Sequence, residues 1–182
     1  KGGILGAGYP LTAHSVTGYS GGGKKMIAEY EAEGRSVLLS SPRQYSLSLS
    51  HKHLPEMVKE CALEHAPIFN PIVGDFYCGM CVTVPLYKSL LLKKMGVDDI
   101  RNYFAEYYAS QNFVKVAKKE EIPAYLPANE LAGTNLLKIY VSGNDDMILM
   151  CSVFDNLGKG ASGAAVQNMN IMLGHDETFS LV

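Results

Sequence analysis

Between Thr17 and Lys25 the chain reads Thr-Gly-Tyr-Ser-Gly-Gly-Gly-Lys-Lys, with glycine at four of the six positions from 18 to 23. Glycines this dense are not packing residues; they permit positive φ and bring the backbone close to another group. Leu11 to Thr17, β-branched and roughly alternating, predicts a short strand before them. Met26, Ile27 and Tyr30 mark one face of a helix after them, with Gly34 as its stop. Strand, glycine turn, helix N-terminus and lysine together make an anion site, since N–H groups and the helix dipole point at a negative group. Its expected contacts are Ser20, Gly21, Gly22, Gly23 and Lys24. The Gly18-to-Lys24 spacing also matches the phosphate loop G-x-x-x-x-G-K, but Lys25 stands where that motif needs a hydroxyl for Mg²⁺. A plain turn without a ligand is the third reading.

The second constellation is His51-Lys52-His53-Leu54-Pro55-Glu56-Met57. Pro55 suits the first position of a helix, Glu56 sits at the favourable end of its dipole, and Met57, Val58, Cys61 and Ala62 repeat at helical spacing. A helix over about 55–64 follows. The histidines precede it on an extended approach, where residues two apart share a face and can line one pocket. Imidazole titrates near neutrality and a carboxylate can orient it, which makes His53, His51 and Glu56 candidates for acid–base work. A metal site would need further ligands, and His14, His65 and His175 are scattered, so none is expected. A purely structural pair stays open. Cys78-Gly79-Met80-Cys81 spells a redox motif, but lies within a predicted strand rather than at a helix start; packed thiols are the better reading.

Further along, 67–74 is extended and Phe76 to Leu86 reads as a long strand, with Pro85 placing its far end at an edge. Asp98 is the expected N-cap of a helix carrying Ile100, Tyr103, Phe104, Tyr107 and Tyr108. Phe113 to Val116 is a short strand, and 120–133 a proline-containing connection. Asn135–Ser142 and Met147–Phe154 flank Gly-Asn-Asp-Asp as a hairpin, and a helix from about Ala161 to Leu173 ends the chain. The fold class is α+β: a mainly antiparallel or mixed sheet with helices on one face. A net charge of -2 offers no attraction to nucleic acid or anionic lipid. Four cysteines in 182 residues fit reduced cytosolic thiols, and no apolar run approaches the roughly 20 residues of a membrane helix. The opening at Lys1 reads as a cut inside a longer protein.

Four motifs together carry a resemblance: Thr17 to Ile27, His51 to Met57, Gly79-Met80 ahead of Val82 and Pro85-Leu86, and Asp155 to Asn168. In order and spacing they resemble N-acetyl-gamma-glutamyl-phosphate reductase in its shorter form. The resemblance implies an NADP-dependent oxidoreductase of arginine biosynthesis that reduces an acyl phosphate to a semialdehyde through a cysteine thioester. It implies an architecture like the C-terminal domain of glyceraldehyde-3-phosphate dehydrogenase-type enzymes, in a cytoplasmic homo-oligomer, a dimer or a tetramer. Residues 1–155 would be the substrate-binding and dimerisation domain. Residues 156–182 would pack on an N-terminal NADP-binding domain. By motif position His53 would serve the thiol, with Glu56 orienting it and His51 second. Asn156, Gly158 and Lys159 would meet the cofactor. The family's Gly-Cys-Tyr nucleophile and its G-x-G-x-x-G turn have no counterpart here, so the chain by itself is expected to be inactive. The alternative from another class is a non-catalytic anion-binding or assembly module.

Overall fold

The computed structural model describes residues 2–181. Seven strands form one sheet: β1 (Thr12–Gly18), β2 (Arg43–Gln44), β3 (Ile68–Gly74), β4 (Met80–Tyr87), β5 (Val114–Val116), β6 (Leu137–Gly143) and β7 (Met147–Phe154), in the order β2-β3-β1-β4-β7-β6-β5. β1 runs parallel to β3 and β5 to β6; the other neighbours are antiparallel. The expected mixed sheet is therefore the observed one. Four helices accompany it: α1 (Gly23–Glu31), α2 (Leu54–Cys61), α3 (Val97–Tyr107) and α4 (Gly163–Met172).

Strand alternation assigns two faces. On one, Leu86, Ile139, Val141 and Ile148 pack against Ile100 of α3, and Val73 packs with Tyr30 of α1. On the other, Cys81, Tyr140, Cys151 and Val153 lie beneath Ile122, Leu126, Ala128 and Leu131 of the 118–134 connection. That connection covers only part of its face. Ile68, Tyr87, Met147 and Leu149, whose registers place them on the same side, stay 38–59% exposed.

Local details depart from the sequence reading for identifiable reasons. β4 starts at Met80 rather than Phe76, because the carbonyls of Phe76, Tyr77 and Gly79 accept the N–H groups of Tyr19, Ser20 and Gly18 instead of a neighbouring strand. Pro85 does lie where β4 has lost one neighbour: β1 pairs only as far as Thr83, and Pro85 pairs with β7 alone. Helix α3 is capped by Gly96 and not by Asp98; Asp99 accepts the Gly96 N–H, while Asp98 turns to Arg101. The hairpin turn is held by Asn144, whose side-chain oxygen accepts the N–H groups of Asp146 and Met147 at 2.9 Å each. The last helix opens with a π-helical turn over Gly158–Ser162 before α4 begins.

Candidate active-site cavity

The glycine turn is built by backbone pairing. Leaving β1, residues Tyr19–Gly22 form one tight helical turn, and α1 follows. Gly18, Tyr19 and Ser20 donate to Gly79, Phe76 and Tyr77 at 2.9–3.0 Å. Gly18 is obligatory there, since a Cβ would collide with the Tyr77 carbonyl. The Gly23 N–H returns to the Ser20 carbonyl, so it is spent within the turn and not offered to an anion. Asn156 clamps the assembly from the far end of the chain: Nδ2 donates to Ser20 Oγ at 3.1 Å, and Oδ1 accepts from Gly79 N at 2.7 Å. Behind the turn Tyr19 stacks on Tyr30 at 4.5 Å, and Arg35 makes a two-pronged bond to Asp75, which holds that carboxyl below its usual range.

The histidine turn is made differently. Ser46 and Leu49 adopt φ near +55°, so the chain arrives at His51 by turning rather than in extended form. His53 has helical dihedrals and stands as the N-cap of α2, with Leu54 and Pro55 as the first helical residues. The extended approach expected from sequence is thus replaced by a tight turn, yet the two imidazoles still meet, edge to face, at 4.9 Å. His51 Nδ1 accepts the His53 N–H at 3.3 Å, and its ring packs against Phe69 at 5.0 Å. An Nδ1 that accepts must be unprotonated, so His51 is neutral in this arrangement. Burial, then the charges of His53 and Lys52, push its pKa below the ordinary imidazole value, in the same sense.

Both turns line one cavity of about 490 Å³. Its floor is the helix-side face of the sheet: Ala13, Ser15 and Thr17 of β1, Phe69 of β3, Met80 and Val82 of β4. Gly21 and Gly22 contribute part of the wall, His51, Lys52 and His53 another part, and Asn156 and Gly160 a third. Lys24 is exposed and lies outside the lining, as do Ser20 and Gly23. Glu56 sits in the first turn of α2, exposed and also outside the lining, and among the described residues it bonds to neither imidazole.

No cysteine lines the cavity. Cys81 and Cys151 are buried on the opposite sheet face, sharing the Thr83 hydroxyl at 3.8 and 3.5 Å. Burial and the neighbouring Asp155 carboxylate push the Cys78 thiol up, which keeps it protonated and a poor nucleophile. Cys61 is exposed at the end of α2. Asp155 itself is a hub that sequence reasoning passed over. Only 2% exposed, it accepts N–H groups from Gly133, Leu157 and Gly158 and so fixes the approach of Asn156 to the cavity. Burial alone would raise its carboxyl, but these three donors together hold it below the ordinary value. The Asp-Asn-Leu-Gly spacing, which lets one carboxylate reach N–H groups two and three residues on, was the available signal.

The residues expected to meet a dinucleotide are mostly occupied. Lys159 donates to Gln167 at 2.5 Å and lies over the Phe113 ring, and burial lowers its pKa, with Glu177 opposing. Gly158 faces the Thr134 carbonyl, which would sit 2.5 Å from a Cβ. Asn156 lines the cavity with both ends of its amide already bonded.

A family model described as semialdehyde dehydrogenase, dimerisation domain, matches residues 2–156. The chain belongs to that family. Curated relatives named N-acetyl-gamma-glutamyl-phosphate reductase include those of Sinorhizobium medicae, 46% identical over 176 residues, and Brucella ovis, 44% identical over 178. Each match covers 94% of this chain and 57% of the relative, so the chain spans little more than half the length of the curated relatives it matches. Among solved structures, aspartate semialdehyde dehydrogenase II from Vibrio cholerae superposes with a TM-score of 0.61 at 15% identity, covering 90% of this chain and 54% of that one. The aspartate semialdehyde dehydrogenase from Francisella tularensis gives 0.62 at 16%, covering 90% and 58%. At such identity the likeness establishes the fold, which is that of semialdehyde dehydrogenase C-terminal domains, as expected. Among the described residues no helix is long and apolar enough to cross a membrane.

Proposed function

We propose that this chain is the substrate-binding and oligomerisation half of an NADP-dependent reductase. The reaction converts N-acetyl-glutamyl 5-phosphate to N-acetyl-glutamate 5-semialdehyde and phosphate, in the cytoplasmic biosynthesis of arginine. The observation that carries this reading is the shared cavity: the glycine turn and His53, distant in sequence, border one space over a mostly apolar sheet floor. The names and lengths of the curated relatives support it.

In this reading a cysteine thiolate from the remainder of the enzyme attacks the acyl carbon, the carbon–oxygen bond to phosphate breaks, and a thioester forms. NADPH, when bound, supplies the hydride that reduces it. The contribution of this chain is to bind and to move protons. Gly21 and Gly22, with Ser20 held behind them by Asn156, shape the wall for the anionic end of the substrate. His53 takes the thiol proton and later manages the proton of the tetrahedral adduct, because His51 Nδ1 is already committed to the His53 N–H. His51 and Glu56 then act on His53 and on the helix start rather than on the substrate. Cofactor binding falls mainly to the N-terminal domain, whose docking surface is the apolar C-terminal end of α4, where Met169, Ile171, Met172 and the following Leu173 are 51–85% exposed. Two copies associate through the uncovered sheet face of Ile68, Tyr87, Met147 and Leu149.

The test is phosphate- and NADP⁺-dependent oxidation of the semialdehyde by the full-length enzyme that contains this segment. His53→Ala is expected to lower kcat about 10²- to 10⁴-fold. His51→Asn keeps most of the activity, since the asparagine oxygen can accept the same N–H, whereas His51→Phe does not. The isolated chain should turn over no substrate. Wild-type rates from His53→Ala would overturn the assignment.

A further inference from the structure

Lys52 stands between the two imidazoles on the cavity wall. Among the described residues it alone of those lining the cavity is a lysine or arginine, and no described aspartate or glutamate lines the space with it. Among the described residues Lys52, like most of the lysines, has no ion-pair partner; what sets it apart is its place on the cavity wall. The lysine that the sequence motif favoured, Lys24, lies outside the cavity. A mostly apolar floor, with a single lysine and no carboxylate on the wall, fits a short aliphatic chain that carries a carboxylate. The glycine turn, on another part of the wall, is left for the reacting end.

Resting on the functional reading above, we infer that Lys52 selects the substrate's second negative group, a carboxylate borne on the chain away from the reacting acyl carbon. The pair gains strength as the substrate displaces water from the cavity, because the interaction of two charges grows as the surrounding dielectric falls. Lys52 is exposed on its turn. The expected preference is therefore the lower end of what a charge-assisted hydrogen bond supplies, about tenfold.

Two compounds separate the possibilities. N-acetyl-glutamate has the acetamido group, the side-chain acid and the second carboxylate; 4-acetamidobutyrate has the first two and lacks the third. Each is titrated into the isotope-labelled chain, and amide signals of Ser15, Thr17 and Gly21 report occupancy of the cavity. The wild-type chain should bind N-acetyl-glutamate about tenfold more tightly. Lys52→Met should remove that difference, and Lys52→Arg should retain it. Equal binding of the two compounds by the wild-type chain overturns the assignment of Lys52. So does an undiminished preference in Lys52→Met with a native-like spectrum. If neither compound moves the cavity signals, either of this chain or of the full-length enzyme that contains it, the functional reading falls, and Lys52 with it.

Discussion

At the glycine turn the N–H groups of Gly18, Tyr19 and Ser20 all meet carbonyls of residues 76–79, and Asn156 bonds to both partners of the contact. At the histidine turn the fastenings are mostly local and more exposed: His51 Nδ1 to His53 N, the Leu49 and Leu54 N–H groups to the Ser46 and His51 carbonyls, and aromatic packing on Phe69. Ser20 is 4% exposed, whereas Lys52 and His53 are exposed. One wall of the cavity is therefore tied down by buried bonds between distant segments, and the other mostly by exposed bonds between near neighbours in the chain. That division suits the proposed function, in which the glycine wall keeps its shape while His53 exchanges protons. It also means that the two walls should respond differently to mutation.

The largest effect is expected from Asp155→Ala. It leaves three part-buried backbone donors without their acceptor and frees the segment carrying Asn156, at a cost of about 3–4 kcal/mol in urea unfolding. Gly18→Ala forces a methyl group against the Tyr77 carbonyl and should cost about 2–4 kcal/mol. A loss below 1 kcal/mol would show that the glycine wall can yield, and would erase the contrast. Asn156→Ala, which opens two buried hydrogen bonds, should cost about 2 kcal/mol and broaden the amide signals of Gly21 and Gly79 before those of His53.

Acid sharpens the same comparison. The folded state holds the Asp155 carboxyl below its ordinary value of about 3.9, so its stabilisation is complete above that pH. It is lost as pH falls through the folded-state value. Asp155→Asn should be less stable at neutral pH and show a shallower loss toward pH 3. The smallest effect belongs to the histidine turn. Leu49→Gly relieves a positive φ but loosens the unfolded chain, so stability should change by no more than about 0.5 kcal/mol.

Much of the architecture was legible because it follows from short-range pattern. The strand–glycine–helix order at 12–31, the hairpin about Asn144, and the stripe that buries Ile100 of α3 are set by alternation, turn chemistry and helical spacing. The errors fall where a distant partner outvoted local preference. Asp98 looked like a cap, but Arg101 reaches from it to the Val141 carbonyl and staples α3 to β6, leaving Asp99 to serve Gly96. Phe76 and Tyr77 looked like strand, but their carbonyls were needed by a turn nearly sixty residues earlier. The two imidazoles do meet as their spacing suggested, though on a turned rather than an extended backbone.

The sequence by itself determined which side chains are available to the cavity: two imidazoles beside a helix start, a dense glycine run, and an asparagine after an apolar strand. Each of those signals spans fewer than ten residues, within the range over which dihedral preference and spacing act. Tertiary structure alone decided that Lys52 and not Lys24 borders the space, that His51 is held as an acceptor, and that Asn156 closes on Ser20 from 136 residues away. Those outcomes depend on how the sheet orders its strands, bringing β3, β1, β4 and β7 side by side so that their loops converge at one end. No local pattern encodes that order, because the contacts that fix it are between residues far apart in the chain.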